Sequence, residues 1–367
     1  MESVNPYKER IARVAASIKA NGSDVIFVTP SADLTYLTGY SALPLERLTC
    51  LAINADGKSW MIVPTLERPS AEAHDIEQYG IELLDWSETE NPYAKFANAV
   101  GQVSKPLVNN LMWVEKALHI QDAFGSSIEL ANKVLSDIRA VKTGQEIAAL
   151  HEAGRAIDSV HSQMASWLRP GRTEREVGRD IADAILQSGH ATVDFVIVAS
   201  GPNGASPHHE VSDRVIGANE PVVVDIGGTM PSGYCSDSTR TYVCGQAPKK
   251  YVEYYDALAE AQRAAVEYAR PGVTCESVDT VARNILKDHG LGDYFIHRTG
   301  HGIGMETHEE PYIVSGNRQI LVEGHAFSIE PGFYIPGKYG ARIEDIVTCN
   351  ATGIDNANNT SRDLVSL

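Results

Sequence analysis

The spacing of apolar residues in the first third of the chain alternates between a helical and an extended pattern. Ile11, Val14 and Ile18 recur at helical spacing in a segment that stops at Gly22. Three short runs have the β-branched and aromatic composition of strands. They are Val25–Thr29, Leu51–Asn54 and Ser59–Val63. This rhythm predicts a small α/β domain that extends to about residue 135.

The elements become longer after residue 135. A long amphipathic helix is predicted from Thr143 to Trp167 and a second helix from Thr173 to Gly189, with a Pro-Gly turn between them. Most turn-forming and chemically reactive residues lie further on, between positions 195 and 347. We therefore predict an α/β (α+β) protein of two domains, residues 1–135 and 136–367, with the chemistry in the second.

The composition excludes several classes of partner. The 367 residues are 43% hydrophobic, and Lys+Arg 31 against Asp+Glu 48 gives a net charge of −17. Such a surface repels phosphate backbones and anionic membranes, so we expect no nucleic-acid or membrane partner. The chain shows no apolar signal core and no apolar run long enough to span a bilayer. Five scattered cysteines without CxxC spacing favour reduced thiols and a cytoplasmic location.

The segment Pro221–Tyr242 reads as a hairpin that carries two acids. Val222–Val224 and Ile226 have the pattern of a buried strand, yet Asp225 lies among them. If the turn centres on Pro231, Asp225 lies directly opposite Asp237. Facing carboxylates repel each other unless something positive lies between them.

A second hairpin, Phe327–Val347, repeats this arrangement. Its turn is Pro336-Gly337-Lys338, and a turn centred on Gly337 places Glu330 opposite Glu344. A bulge would break either register. One buried acid is equally well explained as a hydrogen-bonded core residue, but four unneutralised buried acids would be too unfavourable. The two hairpins together therefore indicate a bound cation.

Three histidines, His297, His301 and His308, lie between the two hairpins. The helical HExxH zinc arrangement is not available here, because Gly300, Gly302 and Gly304 break a helix. The glycines instead predict a backbone packed closely against its neighbours, with the His301 imidazole aimed inward. A lone histidine is usually a core or surface residue, but its place between acidic hairpins favours His301 as a metal ligand.

Five segments, in order, carry a resemblance to a known family. VVVDIGG, SDSTRTY, HRTGHGIGMETHEEP, FSIEPGFYIPGK and ARIED resemble the prolidase, aminopeptidase P and methionine aminopeptidase group, whose catalytic part has the pita-bread fold. DLTYLTGY (Asp33 to Tyr40) resembles the amino-terminal domain of prolidases and aminopeptidases P, which methionine aminopeptidases usually lack. The resemblance therefore implies cleavage of peptides with proline in the second position, and a homodimer.

The resemblance also implies a ligand set for two divalent metal ions. Asp237 and Glu344 would bridge the ions, Asp225 would bind one, and His301 and Glu330 the other. Four carboxylates balance the charge of two divalent ions. Oxygen ligands with one imidazole suit manganese, cobalt or zinc, and the family favours manganese.

Further roles follow from the same resemblance. Two ions would acidify a bridging water and polarise the scissile carbonyl, and Glu330 would transfer the proton to the leaving nitrogen. Arg342, two residues before Glu344, would share its strand face and orient a ligand, although a surface salt bridge is the alternative. His208 and His308 match positions that contact the substrate near the scissile bond. His209, next to His208, leaves open which of the two points inward.

The remaining candidates are less well defined. His297 matches a group on the substrate side or behind the ligands, with a packing role equally supported. Tyr312 stands where some prolidases have an arginine that binds the carboxylate of a dipeptide. We therefore expect Tyr312 to lie near the substrate, and it stays open whether the substrates are dipeptides only or longer peptides as well.

Two other functions are compatible with this fold. One is a metal-free hydrolase of C–N bonds, similar to creatinase, and the other is a non-catalytic interaction protein. Either function would be accompanied by the loss of several of the five ligands. All five candidate ligands are present here, which favours the metallopeptidase.

Overall fold

The computed structural model describes residues 5–367, and the chain divides into two compact units between Arg139 and Ala140. The helices of the first unit are α1 (Pro6–Ala20), α2 (Ala32–Thr38), α3 (Arg68–Glu72), α4 (Pro92–Val100), α5 (Val114–Phe124) and α6 (Asn132–Ala140). Its strands are β1 (Val25–Val28), β2 (Cys50–Asn54), β3 (Ser59–Pro64), β4 (Ile81–Trp86), β5 (Pro106–Val108) and β6 (Glu129–Leu130).

The first unit is built on a six-stranded mixed sheet in the order β4-β3-β2-β1-β5-β6. β1 pairs antiparallel with β2 and parallel with β5. Phe27 on β1 packs with Phe96 of α4 and Phe124 of α5, with ring centroids 5.7 and 4.8 Å apart. The predicted helix and the three predicted strands of this region are all present, with ends that differ by one or two residues.

The second unit contains the longer elements. Its helices are α7 (Gly144–His161), α8 (Met164–Trp167), α9 (Glu174–Gln187), α10 (Lys249–Tyr268) and α11 (Cys275–Asp288). Its strands are β7 (Thr192–Ser200), β8 (Glu220–Thr229), β9 (Cys235–Cys244), β10 (Gly300–Gly302), β11 (Glu309–Ile313), β12 (Ala326–Ile329), β13 (Gly332–Ile335), β14 (Tyr339–Arg342), β15 (Asp345–Cys349), β16 (Ile354–Asn356) and β17 (Val365–Ser366).

Two sheets and a hairpin organise the second unit. One sheet has the order β17-β9-β8-β7, the other β11-β10-β12-β15-β16, and β13 pairs with β14 alone. Helices α7, α8 and α9 share one core with β8, in which Ile157 and Val224 are fully buried. Helices α10 and α11 share another core with β12 and β13, built around Phe327 and Phe333. Each sheet thus has one face covered by helices.

The predicted helix from Thr143 to Trp167 is two helices, so that prediction was wrong in one respect. The Thr143 hydroxyl oxygen caps α7 by accepting from the Glu146 N–H, and the Thr143 N–H donates to the Glu146 carboxylate, but α7 ends at His161 before α8 begins. The hydroxyls of Ser159 and Ser162 donate to the carbonyls of Ala156 and Ser159. These local bonds compete with helical backbone bonds, which explains the interruption.

The register of the first acidic hairpin also differs from the prediction. Asp225 pairs with Thr239, and Asp237 pairs with Gly227, so the two aspartates are diagonal neighbours on one face. The turn runs over Met230–Tyr234, with Gly233 N–H bonded to Met230 C=O and Gly233 at φ 83°. Pro231 therefore occupies the second position of the turn and not its centre. When the centre of the turn lies one residue later than predicted, the partner of each residue across the hairpin changes by two positions.

The second acidic hairpin has the predicted register on both sides of its glutamates. Ile329 pairs with Asp345 and Gly332 with Arg342. Glu330 and Glu344 lie in the break between these two ladders. Their N–H groups donate elsewhere, to the carbonyls of Thr299 (2.8 Å) and Thr239 (3.1 Å). The break joins the second hairpin to β9 and to the segment before β10.

A buried ion pair lies directly behind Glu344. Arg240 and Asp345 are 1% and 0% exposed, and Arg240 Nη2 donates to Asp345 Oδ1 at 2.7 Å. The same guanidinium donates to the carbonyls of Thr239 and Glu344. Because residues 344 and 345 alternate along the chain, Glu344 faces the cavity while Asp345 faces the core.

Within the described residues, no helix has the length and apolar composition needed to cross a membrane. All five cysteines are free and buried.

We expect Arg240→Ala to lower the free energy of unfolding by about 3 kcal/mol, because it leaves Asp345 Oδ1 and several carbonyls buried without their donor, while Gln262 and Arg362 still donate to Asp345 Oδ2. Urea denaturation measures the change. Arg318→Ala is the control, since Arg318 is 88% exposed, and should change stability by no more than about 0.5 kcal/mol. Equal losses in both variants would contradict a stabilising role for the pair.

Candidate metal centre

A cavity of about 390 Å³ in the second unit collects the predicted ligands. Its lining includes all five of them, which are Asp225, Asp237, His301, Glu330 and Glu344. Arg342, His208 and His308 line it as well. An adjoining cavity of about 430 Å³ shares Glu330 and Arg342 with the first, and adds His297 and Arg298.

The ligand atoms converge on one point. Three buried residues each offer one possible ligand atom, and these atoms lie within 4.8 Å of one another. The residues are Asp237, His301 and Glu344. His301 Nε2 is 3.1 Å from Glu330 Oε1 and 3.6 Å from Asp237 Oδ2. An arrangement of carboxylates around one imidazole matches the donor set of a divalent cation.

The orientation of the His301 ring favours a ligand role. Its Nδ1 lies 3.1 Å from the carbonyl oxygen of Gly302, which can only accept, so Nδ1 carries the proton. The lone pair of a neutral ring is then on Nε2 and points at the carboxylates. Metal-binding histidines typically have their second nitrogen bonded to a carbonyl or carboxylate in this way.

Glycines hold the His301 backbone close to its neighbours, as the sequence predicted. A Cβ at Gly300 would overlap the carbonyl oxygen of Ser328, and one at Gly302 would overlap that of Glu310. The Ser328 hydroxyl also accepts from the His301 N–H at 3.0 Å. No side chain fits at either glycine, so β10 approaches β12 and β11 as closely as two backbones can.

Several polar atoms of the centre lack a protein partner. Among the described residues, Asp225 Oδ1 and Glu344 Oε1 are buried without a hydrogen bond. Such atoms are rare in folded proteins and indicate a missing ion or water. Desolvation, followed by repulsion from the neighbouring carboxylates, raises the pKa of Asp237 and of Glu344 well above the usual range. The residues therefore fit divalent cations.

The pKa of Glu330 shifts in the opposite direction from those of Asp237 and Glu344. Burial alone would raise it, but when the His301 ring is protonated on both nitrogens, its hydrogen bond and the nearby positive charge outweigh burial and lower the pKa of Glu330 to about 2. Its Oε1 also accepts from the Ser328 hydroxyl at 3.0 Å.

Arg342 is a buried cation behind the ligands that uses four of its five N–H donors within the protein. Its Nη2 donates to Asp225 Oδ2, its Nε to Thr239 Oγ1 at 3.0 Å, and its Nη1 to Tyr334 OH at 2.7 Å and the Pro207 carbonyl at 3.3 Å. Thr239 in turn donates to Glu344 Oε2 at 2.7 Å. Arg342 thus orients ligands on both acidic hairpins.

His297 extends this set of hydrogen bonds away from the ligands. Its Nδ1 lies 2.7 Å from the Arg298 carbonyl oxygen and therefore donates, which leaves Nε2 to accept from Tyr334 OH at 2.9 Å. Desolvation lowers the pKa of His297 to about 4, in agreement with a neutral ring. His297 therefore fixes Tyr334, which fixes Arg342.

His208 and His209 differ in their partners. His209 Nε2 lies 2.8 Å from Glu174 Oε2, and Glu174 is fully buried. Glu174 also accepts bonds from Ser200 and Ser212, which hold the loop after β7. The His208 side chain makes no hydrogen bond to any described residue, and it lines both cavities. This difference assigns His209 to the support of the loop and leaves His208 available.

Tyr312 is the one predicted site residue that lines neither cavity. Its ring instead lies under the Arg298 guanidinium, with 4.5 Å from Cζ to the ring centroid. His308 lies closer to the ligands, with its ring centroid 4.1 Å from that of His301. Sequence reasoning missed Thr239, Tyr334, Glu174 and Arg298. Thr239 and Arg298 stand inside the motifs SDSTRTY and HRTGHG, which was the available signal.

Both units match known families. Residues 148–351 match the model of metallopeptidase family M24, and residues 10–141 match the creatinase/prolidase N-terminal domain.

Similar proteins cover almost the whole chain. The probable dipeptidase PepE of Mycobacterium tuberculosis is 46% identical over 98% of this chain and 96% of its own. The Xaa-Pro dipeptidase of Lactobacillus delbrueckii subsp. lactis is 37% identical over 95% and 96%. The crystal structure of dipeptidase PepE from Mycobacterium ulcerans is 47% identical, with a TM-score of 0.94 and 98% of each chain covered.

The fold and the centre define a hydrolase of the metal-dependent peptidase class, with the pita-bread fold in its second unit. The chain belongs to metallopeptidase family M24. The family resemblance and the mixed α/β fold expected from the sequence are thereby confirmed.

We expect Gly300→Ala to disrupt the centre, because the added methyl group would overlap the Ser328 carbonyl and displace β10 with His301. Thermal unfolding should show a Tm several degrees lower, since about 1–3 kcal/mol is typical of overpacking. Gly144→Ala is the control, because nothing lies within 4 Å of a Cβ there. An unchanged Tm for Gly300→Ala would show that this close approach is not needed.

Proposed function

We propose that this protein hydrolyses the peptide bond between an amino-terminal residue and proline, with two divalent metal ions as cofactors. The observation that carries the proposal is the convergence of Asp237, His301 and Glu344 on one buried point, with Asp225 and Glu330 in the same cavity. The Xaa-Pro dipeptidase and dipeptidase names of the relatives support the substrate class.

The five ligands divide between two positions in this proposal. Asp237 and Glu344 would be shared by both ions, Asp225 would help to hold one, and His301 with Glu330 would help to hold the other. Two divalent cations balance the four carboxylates of a cavity whose ligands are nearly all buried. Manganese, cobalt and zinc all suit this donor set, and manganese is our first choice. When bound, such ions acidify water and polarise a carbonyl.

The protein side chains perform the remaining steps. Glu330 accepts the proton released from water and transfers it to the leaving proline nitrogen, a role that suits a carboxylate in the same cavity as the other four ligands. His208 and His308 donate N–H bonds to the scissile carbonyl oxygen as it gains negative charge. Desolvation, followed by the charges of His301 and Arg298, lowers the pKa of His308 to about 4, so its imidazole is neutral near pH 7.

The two alternative functions have less support. A creatinase-like hydrolase does not need four acids around one imidazole, and a non-catalytic protein has no use for unpaired buried carboxylate oxygens. A cytoplasmic homodimer stays part of the proposal, on the strength of the reduced cysteines and the family resemblance alone.

Metal analysis tests the ligand set. The purified protein should contain about two divalent ions per chain, measured by inductively coupled plasma mass spectrometry, and should lose Xaa-Pro hydrolysis in chelator. Asp237→Asn or Glu344→Gln should lose more metal than His308→Ala, because only the first two remove a ligand. Full activity after complete removal of metal would overturn the proposal, and equal metal loss in all three variants would overturn the assigned roles.

The two adjacent histidines provide a matched pair of variants. His208→Ala should lower kcat for an Xaa-Pro dipeptide by ~10²–10³ with metal content unchanged, because the transition state loses a donor. His209→Ala should instead lower the free energy of unfolding by about 1–3 kcal/mol, because Glu174 loses a partner in a buried site. The reverse pattern, measured by steady-state kinetics and urea denaturation, would mean that His209 is the residue facing the substrate.

A further inference from the structure

Arg298 is a cation in the cavity wall with no anionic partner. Its guanidinium makes no hydrogen bond or ion pair with any residue in the range 5–367, although it lines the same cavity as His301 and Glu330. A half-buried arginine normally uses its five N–H donors on carboxylates or carbonyls. Arg298 presents them to the cavity instead.

The second arginine of this cavity is largely occupied within the protein. Arg342 bonds Asp225, Thr239, Tyr334 and the Pro207 carbonyl, which uses four of its five N–H donors. An anion that enters the cavity therefore finds the planar pairs of free donors on Arg298 and not on Arg342.

The backbone that carries Arg298 is fixed on both sides. Arg283 of α11 donates to the carbonyls of Phe295 and His297, both at 2.9 Å. Asp279 of α11 accepts from the Thr299 hydroxyl at 2.7 Å, and His297 donates to the carbonyl of Arg298 itself. Only the side chain of Arg298 is then left to be ordered by a ligand, which reduces the entropy lost on binding.

Tyr312 restricts that side chain further. The Arg298 guanidinium lies over the ring of Tyr312, 4.5 Å from its centroid. A cation over an aromatic face is stabilised while its N–H groups, in the plane of the guanidinium, stay free to bind a carboxylate. Tyr312 is therefore a positioning residue that acts through Arg298.

The place of Arg298 suits one particular group of the substrate. In an Xaa-Pro dipeptide the carboxylate carbon is two covalent bonds from the scissile nitrogen, so its anchor must lie close to the ligands. Arg298 satisfies this condition, because it lines the adjoining cavity together with His301, His308 and Glu330. Arg298 is a positive group on the wall of this cavity, in a protein of net charge −17, and it attracts a substrate carboxylate there.

We propose that the Arg298 guanidinium binds the free carboxylate of the proline residue of an Xaa-Pro substrate and thereby makes the site selective for dipeptides. This inference rests on the proposed peptidase function. Removal of the carboxylate, or its replacement by a further peptide residue, leaves the guanidinium without its anionic partner.

The test compares three substrates with the metal-loaded enzyme: Xaa-Pro, its carboxamide and Xaa-Pro-Yaa. The unmodified enzyme should prefer the dipeptide. Arg298→Met should lower kcat/KM for the dipeptide roughly 10- to 100-fold, the range expected when a charge-assisted hydrogen bond is lost, mainly through KM. Cleavage of the carboxamide should stay nearly unchanged. Equal losses on dipeptide and carboxamide, or no loss on either, would overturn the proposal.

Further variants separate recognition from structure. Arg298→Lys should give an intermediate KM, because an ammonium lacks the planar fork. Tyr312→Ala should raise KM for the dipeptide, and Tyr312→Phe should restore it, since the ring is retained. Arg270→Met is the matched control, because Arg270 also stacks on a tyrosine, Tyr268, but lines neither cavity. A KM change of the same size in Arg270→Met would contradict a site-specific role.

Equilibrium binding distinguishes failure of this inference from failure of the proposed function. L-proline, which has the free carboxylate, and L-prolinamide, which lacks it, are titrated into the metal-loaded protein and the Arg298→Met variant by calorimetry. We expect proline to bind the unmodified protein more tightly than prolinamide, and the difference to disappear in the variant. If no peptide is cleaved but this difference is found, the hydrolase proposal fails while the carboxylate site stands. If proline and prolinamide bind equally to both proteins, the carboxylate site is overturned.

Discussion

Repulsion between buried carboxylates is the constraint on which the second unit depends. Asp225, Asp237, Glu330 and Glu344 line one cavity, and few protein groups are available to neutralise them. Arg342 supplies one permanent positive charge and touches only Asp225 among the four. A chain would not be expected to fold stably around four acids if these were the only compensations. The divalent cations of the proposed function meet this electrostatic requirement before they perform any chemistry.

The surrounding structure serves to hold the ligands at fixed separations. The ligands come from two hairpins and from the glycine-rich β10, and each part is attached to another by a short contact. Thr239 connects the first hairpin to Glu344, and Ser328 of the second hairpin connects Glu330 to His301. Helices α7 to α11 mainly cover the sheets with apolar side chains, and a few polar residues of α9 and α11 also hold the segments of His209 and Arg298.

The sequence predicted the acidic hairpins better than the exact pairing within them. The short Pro336-Gly337-Lys338 turn leaves few choices, so the register of the second hairpin was confirmed. The first hairpin has a longer turn that contains both Pro231 and a glycine with positive φ, and either residue is a reasonable centre. The structure, not the pattern, showed that Asp225 and Asp237 are diagonal. Both remain on one face because a shift of two residues preserves the alternation.

Contacts between distant segments could not be predicted from one sequence. Nothing near His208 and His209 shows that Glu174, 35 positions earlier, bonds only one of them. Likewise, the absence of an arginine at position 312 left open whether the substrates are dipeptides only or longer peptides as well. The structure places Arg298 over Tyr312, so a cation reaches the same region from the segment before β10. Which histidine faces the cavity and which residue supplies the cation both depend on side-chain direction and on contacts between distant segments. The periodicity of the sequence contains no information on either.

The alternation of Glu344 and Asp345 has a consequence for how this chain can change in length. One residue added before Glu344 would reverse the directions of the two side chains. Glu344 would then point into the core, and Asp345, which pairs with Arg240, would point into the cavity. Deletion of one residue would do the same. Insertions and deletions in this strand are therefore tolerable only in pairs, whereas the Met230–Tyr234 turn, which contributes no ligand, has room to gain or lose single residues. Length variation among descendants of this sequence should concentrate there.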